Sequence, residues 1–268
     1  LLVRDPKRVP ERVAALDRVN LHQGDIARIE EQEALIRTMD YIVHIATDWS
    51  ESDFAFHINV EKTFRLFEYC RSVKCKKIIY FSTASILGPG NRAVPEAGTL
   101  GSAYVRSKYK AYQLLQHDGI REKVYTVFPT MVFGGDDSHP YSHISEGIVP
   151  NVHYLKLLRF IYLEMGFHFL HSKDIAAVTR FIVCNDVPVQ DLVFGTPAVT
   201  GKQAIKALCR AFGVPCYFQL KVPKWVIFFI AKVMRIEMPP WGRYCIENSD
   251  MTYSVMGPRS FGLEESFP

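Results

Sequence analysis

The sequence lacks the cysteine patterns of a metal-binding protein. Its six cysteines include no Cys-x-x-Cys pair and no group of histidines and cysteines at zinc-ligand spacing. These absences argue against a structural zinc site. We therefore expect reduced thiols, a cytoplasmic protein and no bound metal.

A strong charge bias and a long apolar run are also missing. The formal net charge is +4 over 268 residues, and the lysines and arginines are scattered except at residues 74–77. Such a balance does not favour nucleic-acid binding. The longest apolar run near the C-terminus, residues 225–231, is far shorter than the roughly 20 residues that span a bilayer. We expect a buried amphipathic helix there, with a peripheral membrane contact as the alternative.

Internal repeats and low-complexity tracts are absent, and short apolar runs alternate instead with helical patterns. Residues 41–45, 77–81 and 123–133 are typical of strands, and residues 56–71 and 104–116 of helices between them. Strand–helix–strand repetition predicts a parallel sheet covered on both faces. The predicted class is α/β, with a Rossmann-like doubly wound sheet.

The alternation ends in the middle of the chain. We predict a helix over residues 154–164, return sheet elements around 166–195 and a mostly helical pattern from residue 202 onward. We therefore predict two domains. Residues 1–135 form the main sheet domain, and residues 136–268 form mostly a smaller, mainly helical substrate lobe.

The most informative residues are Tyr104 and Lys108, four positions apart and so on one face of a predicted helix. A free tyrosine has a pKa of about 10, and a nearby ammonium group lowers that pKa by stabilising the phenolate. The pair therefore suits proton transfer. The pattern alone is weak, because a chain with 13 tyrosines contains about one chance match. A second match, Tyr217 and Lys221, we interpret as a surface tyrosine and lysine.

A run of hydroxyl residues strengthens the first match. Residues 82–85 (Ser-Thr-Ala-Ser) directly follow the apolar strand at 77–81. Ligands of open parallel sheets lie beyond the C-terminal ends of the strands, where such a hydroxyl would face them. The plainer alternative is a turn or N-cap role for these residues. Together, hydroxyl, tyrosine and lysine supply the parts of a hydride-transfer site.

These segments resemble the motifs of the extended short-chain dehydrogenase/reductase superfamily, the group of NAD(P)-dependent epimerases, dehydratases and reductases. The similarity covers almost the whole chain, although Lys62 stands where the family's helix motif has glycine. The segments that carry the resemblance are residues 2–8, 24–26, 44–47, 59–63, 81–88, 129–134 and 171–176.

The resemblance implies a role for each residue of the candidate site. Tyr104 is expected to be the proton donor and acceptor, and Lys108 its partner and a ligand of the cofactor ribose. Thr83 is expected to bind the substrate oxygen, since counting back from Gly88 favours it over Ser82 or Ser85.

The resemblance also implies a nicotinamide cofactor bound by residues 1–135. Arg4 ends the second strand of the family's fold, where NAD-preferring members carry an acidic residue. A guanidinium there would attract a 2′-phosphate, so we predict NADPH over NADH. The alternative is that Arg4 simply faces solvent. The expected cofactor-binding residues are Arg4, Asp25, Ile26, Ala46, Thr47, Tyr104, Lys108, Pro129 and Val132.

One motif of the family has no counterpart in this sequence. The glycine-rich turn that holds the cofactor pyrophosphate at a helix N-terminus would precede residue 1. We therefore expect a chain truncated at its N-terminus, without the first strand and this loop.

The second half of the chain is similar to the dihydroflavonol-reductase-like and 3β-hydroxysteroid-dehydrogenase-like branch. Residues 195–202 and 248–254 carry this similarity. An oxidoreductase acting on a small hydrophobic carbonyl or alcohol is the favoured function. A sugar-nucleotide epimerase or dehydratase with tightly held NAD is one alternative, and a non-catalytic cofactor-binding relative is another. A homodimer is possible for any of them.

Overall fold

The structure is a computed structural model that describes residues 1–72, 74–134, 149–249 and 252–266. It shows a mixed α/β chain with twelve short strands among the described residues. The strands β1 to β12 are Leu2–Val3, His22–Gln23, Tyr41–His44, Lys77–Phe81, Val124–Pro129, Met131–Phe133, Ile161–Tyr162, Gly166–Phe167, Phe169–His171, Asp191–Phe194, Val199–Thr200 and Leu220–Lys221.

Helices separate these strands. One continuous helical segment consists of α-helix Phe54–Phe56, a π-helical turn His57–Lys62 and α-helix Thr63–Tyr69. The other α-helices are Glu11–Ala14, Glu33–Ile36, Pro95–Thr99, Ala103–Gln116, Leu155–Leu158, Ser172–Cys184, Gly201–Ala211, Lys224–Val233 and Pro240–Glu247.

The central sheet has four strands in the order β10-β5-β4-β3, which confirms the predicted α/β class with a parallel sheet. β3 pairs in parallel with β4, and Tyr41 lies opposite Lys77. β5 pairs in parallel with β10, and Thr126 lies opposite Asp191. Four further pairs of strands form small two-stranded sheets, among them the parallel pair β1 and β2.

The described residues divide into two compact units. The first unit contains the described residues within 1–80 and 102–125, and the second contains those within 81–101 and 126–268. The predicted domains, 1–135 and 136–268, divide the chain differently and stay a prediction. Residues 135–148, next to that boundary, lie outside the described part of the chain.

The first unit has an apolar core between its helices and strands. Its buried members come from the helices before β3, from the helical segment before β4, from the residues that lead into β4 and β4 itself, from the helix Ala103–Gln116, and from the turn before β5 and the first residue of β5. They are Ile29, Ile36, Leu66, Phe67, Tyr69, Cys70, Cys75, Ile78, Tyr80, Ala111, Leu115, Ile120 and Val124. Burial of such side chains contributes about 1.5–3 kcal/mol each, so this core holds the helix that carries Tyr104 and Lys108.

A close approach explains the glycine at residue 24. A Cβ on Gly24 would lie 2.7 Å from Leu2 Cδ1 and 3.0 Å from Gln32 Nε2. A larger residue there would have to displace the ends of these two side chains. Asp25 then caps the following 3₁₀ helix, because its Oδ1 accepts a hydrogen bond from Ala27 N at 3.0 Å.

The predicted helix over residues 154–164 is wrong beyond its first turn. The helix ends at Leu158, and Ile161–Tyr162 forms β7, paired in parallel with β12. Leu220 N donates to Phe160 O at 2.8 Å, and Val222 N donates to Tyr162 O at 2.9 Å. Aromatic and β-branched residues favour an extended strand once a partner strand is present, which explains why this segment is not helical. The strand β12 also interrupts the mostly helical pattern predicted after residue 202.

The apolar run at residues 225–231 forms a helix, but the prediction that this helix is buried is wrong. Within Lys224–Val233 only Ala231 is buried, and Trp225, Phe229 and Ile230 are exposed. The run is apolar on every side, so its composition could not show which face packs. Across the described residues, every helix is too short or too polar to cross a membrane.

Candidate active site

The helix Ala103–Gln116 begins with two capping contacts. Ser102 Oγ accepts a hydrogen bond from Val105 N at 3.3 Å, and Glu51 Oε2 accepts one from Ala103 N at 3.0 Å. A carboxylate at this end also complements the positive end of the helix dipole. These caps fix the first turn of the helix, which is the turn that carries Tyr104.

Tyr104 and Lys108 both lie on the buried face of this helix. Tyr104 is 8% exposed and Lys108 is 1% exposed. Burial lowers the pKa of the Lys108 amine from 10.5 to about 7, because the charged form loses its hydration. Near neutral pH this amine is therefore balanced between its two protonation states, which is unusual for a lysine and typical of functional sites.

One aromatic ring packs against the Lys108 amine, and a second ring stacks on the first. Lys108 Nζ lies 5.0 Å from the centroid of the Tyr80 ring, within the range of a cation–π contact. The Tyr80 ring stacks in turn on His44, with centroids 5.7 Å apart. Burial and the Lys108 charge lower the pKa of His44 to about 3, so this histidine is neutral at physiological pH. Its Nε2 and Thr63 Oγ1 share a hydrogen bond of 3.0 Å.

Tyr80 itself is a second buried phenol. Its hydroxyl makes no hydrogen bond among the described residues, and burial, with the neighbouring Tyr104, raises its pKa well above the usual range. The Tyr80 phenol therefore keeps its proton and contributes its ring face rather than its oxygen. Tyr104 remains the phenol suited to proton transfer.

Asn59 ties the segment after β3 to the Tyr104 helix. Its Oδ1 accepts hydrogen bonds from Thr47 Oγ1 at 2.8 Å and from Asp48 N at 2.9 Å. Its Nδ2 donates to Asp48 O and to Ser107 Oγ, both at 2.9 Å. Ser107 Oγ donates onward to Tyr104 O at 2.8 Å. Both polar atoms of this fully buried amide are thus satisfied.

Replacement of Asn59 by alanine is expected to destabilise the protein by about 2–4 kcal/mol, because it leaves several buried partners unsatisfied. The measurement is urea-induced unfolding of the variant and the wild type. Asn185→Ala is the matched control, since Asn185 is exposed and its Nδ2 donates to Phe181 O at 2.9 Å. Equal destabilisation by the two substitutions would show that the Asn59 network is energetically unimportant.

Thr83 belongs to the second unit, at the end of β4. It is buried, and its Oγ1 accepts a hydrogen bond from Ser85 N at 3.2 Å, which caps the 3₁₀ turn Ala84–Ile86. The alternative capping role is therefore real, yet the Thr83 hydroxyl still has its own proton to donate. Ser82 Oγ is buried without a hydrogen-bond partner among the described residues. The substrate-binding role of Thr83 stays a prediction.

A C-terminal segment of the second unit holds the turn after Thr83. Tyr253 Oη donates to Ala84 O at 3.2 Å, and Asn91 exchanges two hydrogen bonds with the backbone of Ser254. His168 accepts from Tyr253 N at Nε2 and donates from Nδ1 to Thr196 O. These two contacts fix the orientation of the imidazole ring.

The predicted cofactor-binding residues fall into both units. In the first unit Arg4 is exposed, Asp25 and Ile26 form the capped turn after β2, and Ala46 and Thr47 follow β3. Pro129 ends β5 opposite Phe194, and Val132 lies in β6 opposite Leu170, both in the second unit. Their contact with a cofactor stays a prediction.

Two features of the first unit fit a nicotinamide dinucleotide. The Lys108 amine, one helical turn from Tyr104, has the donors that ribose hydroxyls accept. The exposed guanidinium of Arg4 has the charge and the paired donors that suit a phosphate.

Sequence reasoning missed several residues of this site. Asn59 and His44 lie in segments that carry the family resemblance, so the sequence marked their positions. It did not indicate the hydrogen bonds and ring contacts that they make. Trp49 lies in none of the motifs, yet its ring stacks on Tyr104. The pattern around Tyr80 indicated only an ordinary strand residue.

Known proteins are similar to this chain in sequence and in fold. A family model described as the NAD dependent epimerase/dehydratase family matches residues 1–193. The chain is 22% identical over 246 residues to the 2-alkyl-3-oxoalkanoate reductase of Shewanella oneidensis, covering 81% of this chain. It spans 61% of the length of that curated relative.

Two solved structures illustrate the shared fold. The crystal structure of gox2253 is similar with a TM-score of 0.66 and 22% identity, over 95% of this chain and 81% of that one. The UDP-glucose 4-epimerase of Thermus thermophilus, solved in complex with NAD, has a TM-score of 0.57 and 16% identity. That match covers 97% of this chain and 84% of the epimerase.

Proposed function

Because the chain belongs to the NAD dependent epimerase/dehydratase family, we propose that it is an NAD(P)-dependent oxidoreductase with Tyr104 as its acid/base. Its substrate is a small, hydrophobic carbonyl compound or the corresponding alcohol. The observation that carries this proposal is the buried pair of Tyr104 and Lys108, in which burial lowers the lysine pKa to about 7.

The chemistry follows from these side chains. A bound nicotinamide supplies or accepts the hydride. In the direction of reduction, Tyr104 Oη donates the proton to the carbonyl oxygen, which becomes the hydroxyl of the product. The Lys108 ammonium stabilises the resulting phenolate and binds the cofactor ribose. The Thr83 hydroxyl donates a hydrogen bond to the substrate oxygen and so orients the carbonyl.

An apolar substrate is supported by the second unit and by one relative. Phe160, Tyr162, Phe167 and Phe169 are half-buried around β7 to β9. The relative from Shewanella oneidensis is a reductase of 2-alkyl-3-oxoalkanoates, which are carbonyl compounds that carry alkyl chains. We further propose a cytoplasmic protein, which the six free cysteines favour.

A direct test separates this proposal from the alternatives. The protein is mixed with NADPH or NADH and a panel of hydrophobic ketones, and cofactor oxidation is followed through many turnovers. An epimerase or dehydratase would instead retain its cofactor through gel filtration and convert sugar nucleotides. A non-catalytic relative would bind cofactor without turning over either substrate class.

We propose that NADPH is the preferred cofactor, with NADH as the weaker one. Arg4→Ala is expected to weaken NADPH binding about 10- to 100-fold and NADH binding much less, because a charge-assisted hydrogen bond contributes about 1.5–3 kcal/mol. Fluorescence titration with both cofactors measures this. Arg210→Ala removes an exposed arginine of the second unit and serves as the control. Tighter binding of NADH to the wild type would contradict the NADPH preference.

A further inference from the structure

Trp49 lies directly against the proposed acid/base. The indole of Trp49 and the phenol of Tyr104 stack with ring centroids 4.0 Å apart and planes 14° apart. Trp49 is also 60% exposed. A large aromatic residue placed mainly for core packing would be mostly buried, so this position calls for another explanation.

The backbone on both sides of Trp49 is held in place. Before it, Asp48 exchanges two backbone hydrogen bonds with the side chain of Asn59, each of 2.9 Å. After it, Ser50 N donates to Asp48 Oδ1 at 2.9 Å, and Glu51 Oε2 caps the Tyr104 helix at Ala103 N. The stack is therefore set by polar contacts within the first unit rather than by a chance approach of two exposed rings.

The position of Trp49 bears on what can reach Tyr104. A substrate carbonyl must approach Tyr104 Oη, which lies at the edge of the phenol ring. The group attached to that carbonyl then lies beside the stacked rings, where the exposed indole surface is available. Flat π systems pack on an indole face better than saturated rings do, because they are thinner and can adopt the offset-stacked arrangement that aromatic pairs favour.

We infer that Trp49 is a specificity-determining residue that selects planar, aromatic or conjugated carbonyl compounds over saturated ones. This inference rests on the proposed reductase function and specifies its substrate class. Stacking of this kind is expected to favour the planar compound about 3- to 10-fold. The same ring contact positions the Tyr104 phenol.

Binding of two ketones of matched size tests the inference without requiring turnover. The probes are acetophenone and cyclohexyl methyl ketone, which differ in whether the ring is planar. The chain has three tryptophans, so ¹⁵N-tryptophan labelling gives few indole N–H signals, and the Trp49 signal is the one lost in Trp49→Phe. Acetophenone is expected to shift the Trp49 signal and to bind about 3- to 10-fold more tightly than the saturated ketone.

The variants complete the test. Trp49→Leu is expected to abolish the preference for acetophenone, and Trp49→Phe to keep part of it. Trp225→Leu is the matched control, because Trp225 is a similarly exposed indole in the second unit. Equal affinities in the wild type, a preference that survives Trp49→Leu, or no binding of either ketone at its solubility limit would each overturn the inference.

Turnover separates the failure of this inference from the failure of the proposed function. If the ketones bind with the expected preference but neither cofactor reduces them, the reductase proposal fails and the role of Trp49 stands. If they are reduced and the ratio of their kcat/KM values is the same in Trp49→Leu, the role of Trp49 fails and the reductase stands.

Discussion

Tyr104→Phe is expected to lower turnover about 100- to 10 000-fold while leaving NADPH binding intact, because it removes only the oxygen that transfers the proton. Phenylalanine keeps the ring that stacks on Trp49 and fills the same buried volume. The measurement is the steady-state oxidation of NADPH with a ketone that the wild type reduces. Cofactor affinity is determined in parallel by fluorescence.

The chain contains its own control for this experiment. Tyr217 and Lys221 repeat the spacing of Tyr104 and Lys108, but Tyr217 is 83% exposed and lies just before β12. Tyr217→Phe is therefore expected to retain wild-type activity. If Tyr104→Phe is equally active, Tyr104 is not the acid/base and the proposed mechanism is wrong.

Lys108→Met is expected to stabilise the fold at neutral pH while reducing turnover at least about 100-fold, because burial of the charged amine costs free energy and the proposed reaction uses that charge. The folded protein binds a proton at Lys108 only below a pKa of about 7, whereas the unfolded chain binds it below 10.5. Between these values the unfolded state holds more protons, so the contribution of Lys108 to stability rises with pH.

The size of the effect follows from the same shift. At pH 7 burial of the Lys108 amine lowers the free energy of unfolding by about 4 kcal/mol relative to a side chain that carries no charge. Replacement by methionine recovers this free energy but loses about 1 kcal/mol from the contact with the Tyr80 ring. Lys108→Met is thus expected to be about 3 kcal/mol more stable than the wild type at pH 7 and nearly equal to it at about pH 9.5.

The difference in the free energy of unfolding is measured by urea denaturation at these two pH values. The shift in the denaturation midpoint is multiplied by a common m-value. Lys221→Met removes an exposed lysine and is expected to leave the stability nearly unchanged at either pH. A variant that is destabilised at pH 7, or a stability gap that does not narrow toward the higher pH, would contradict the assigned cost of burial.

Much of the first half of the fold could be predicted from sequence. The strand predicted at residues 77–81 is observed as Lys77–Phe81, and the helix predicted at 104–116 as Ala103–Gln116. The helix is bounded by a strong local signal, the Ser102 cap, and has one clear buried face, whereas the strand is a short apolar run that is buried on both faces. Local pattern and tertiary environment agree at these elements.

The failures have a common physical cause. The segment at Phe160–Tyr162 became a strand because β12 pairs with it, and β12 is almost sixty residues away. The burial of the helix Lys224–Val233 depends on its neighbours, which its own apolar residues do not specify. Trp49 gave no signal because its role depends on a ring that lies far along the chain. Long-range contacts decide each of these features.

The edge of the central sheet has a practical consequence for work with the protein. β3 is the last strand in the order β10-β5-β4-β3, and Tyr41 and Val43 on it are exposed. An apolar edge strand offers its open backbone groups to a further strand, so in a preparation of these 268 residues alone it is a template for self-association. Low protein concentration and the substitution Val43→Lys are therefore the first means of limiting self-association, since a charged side chain at this position disfavours edge-to-edge strand pairing.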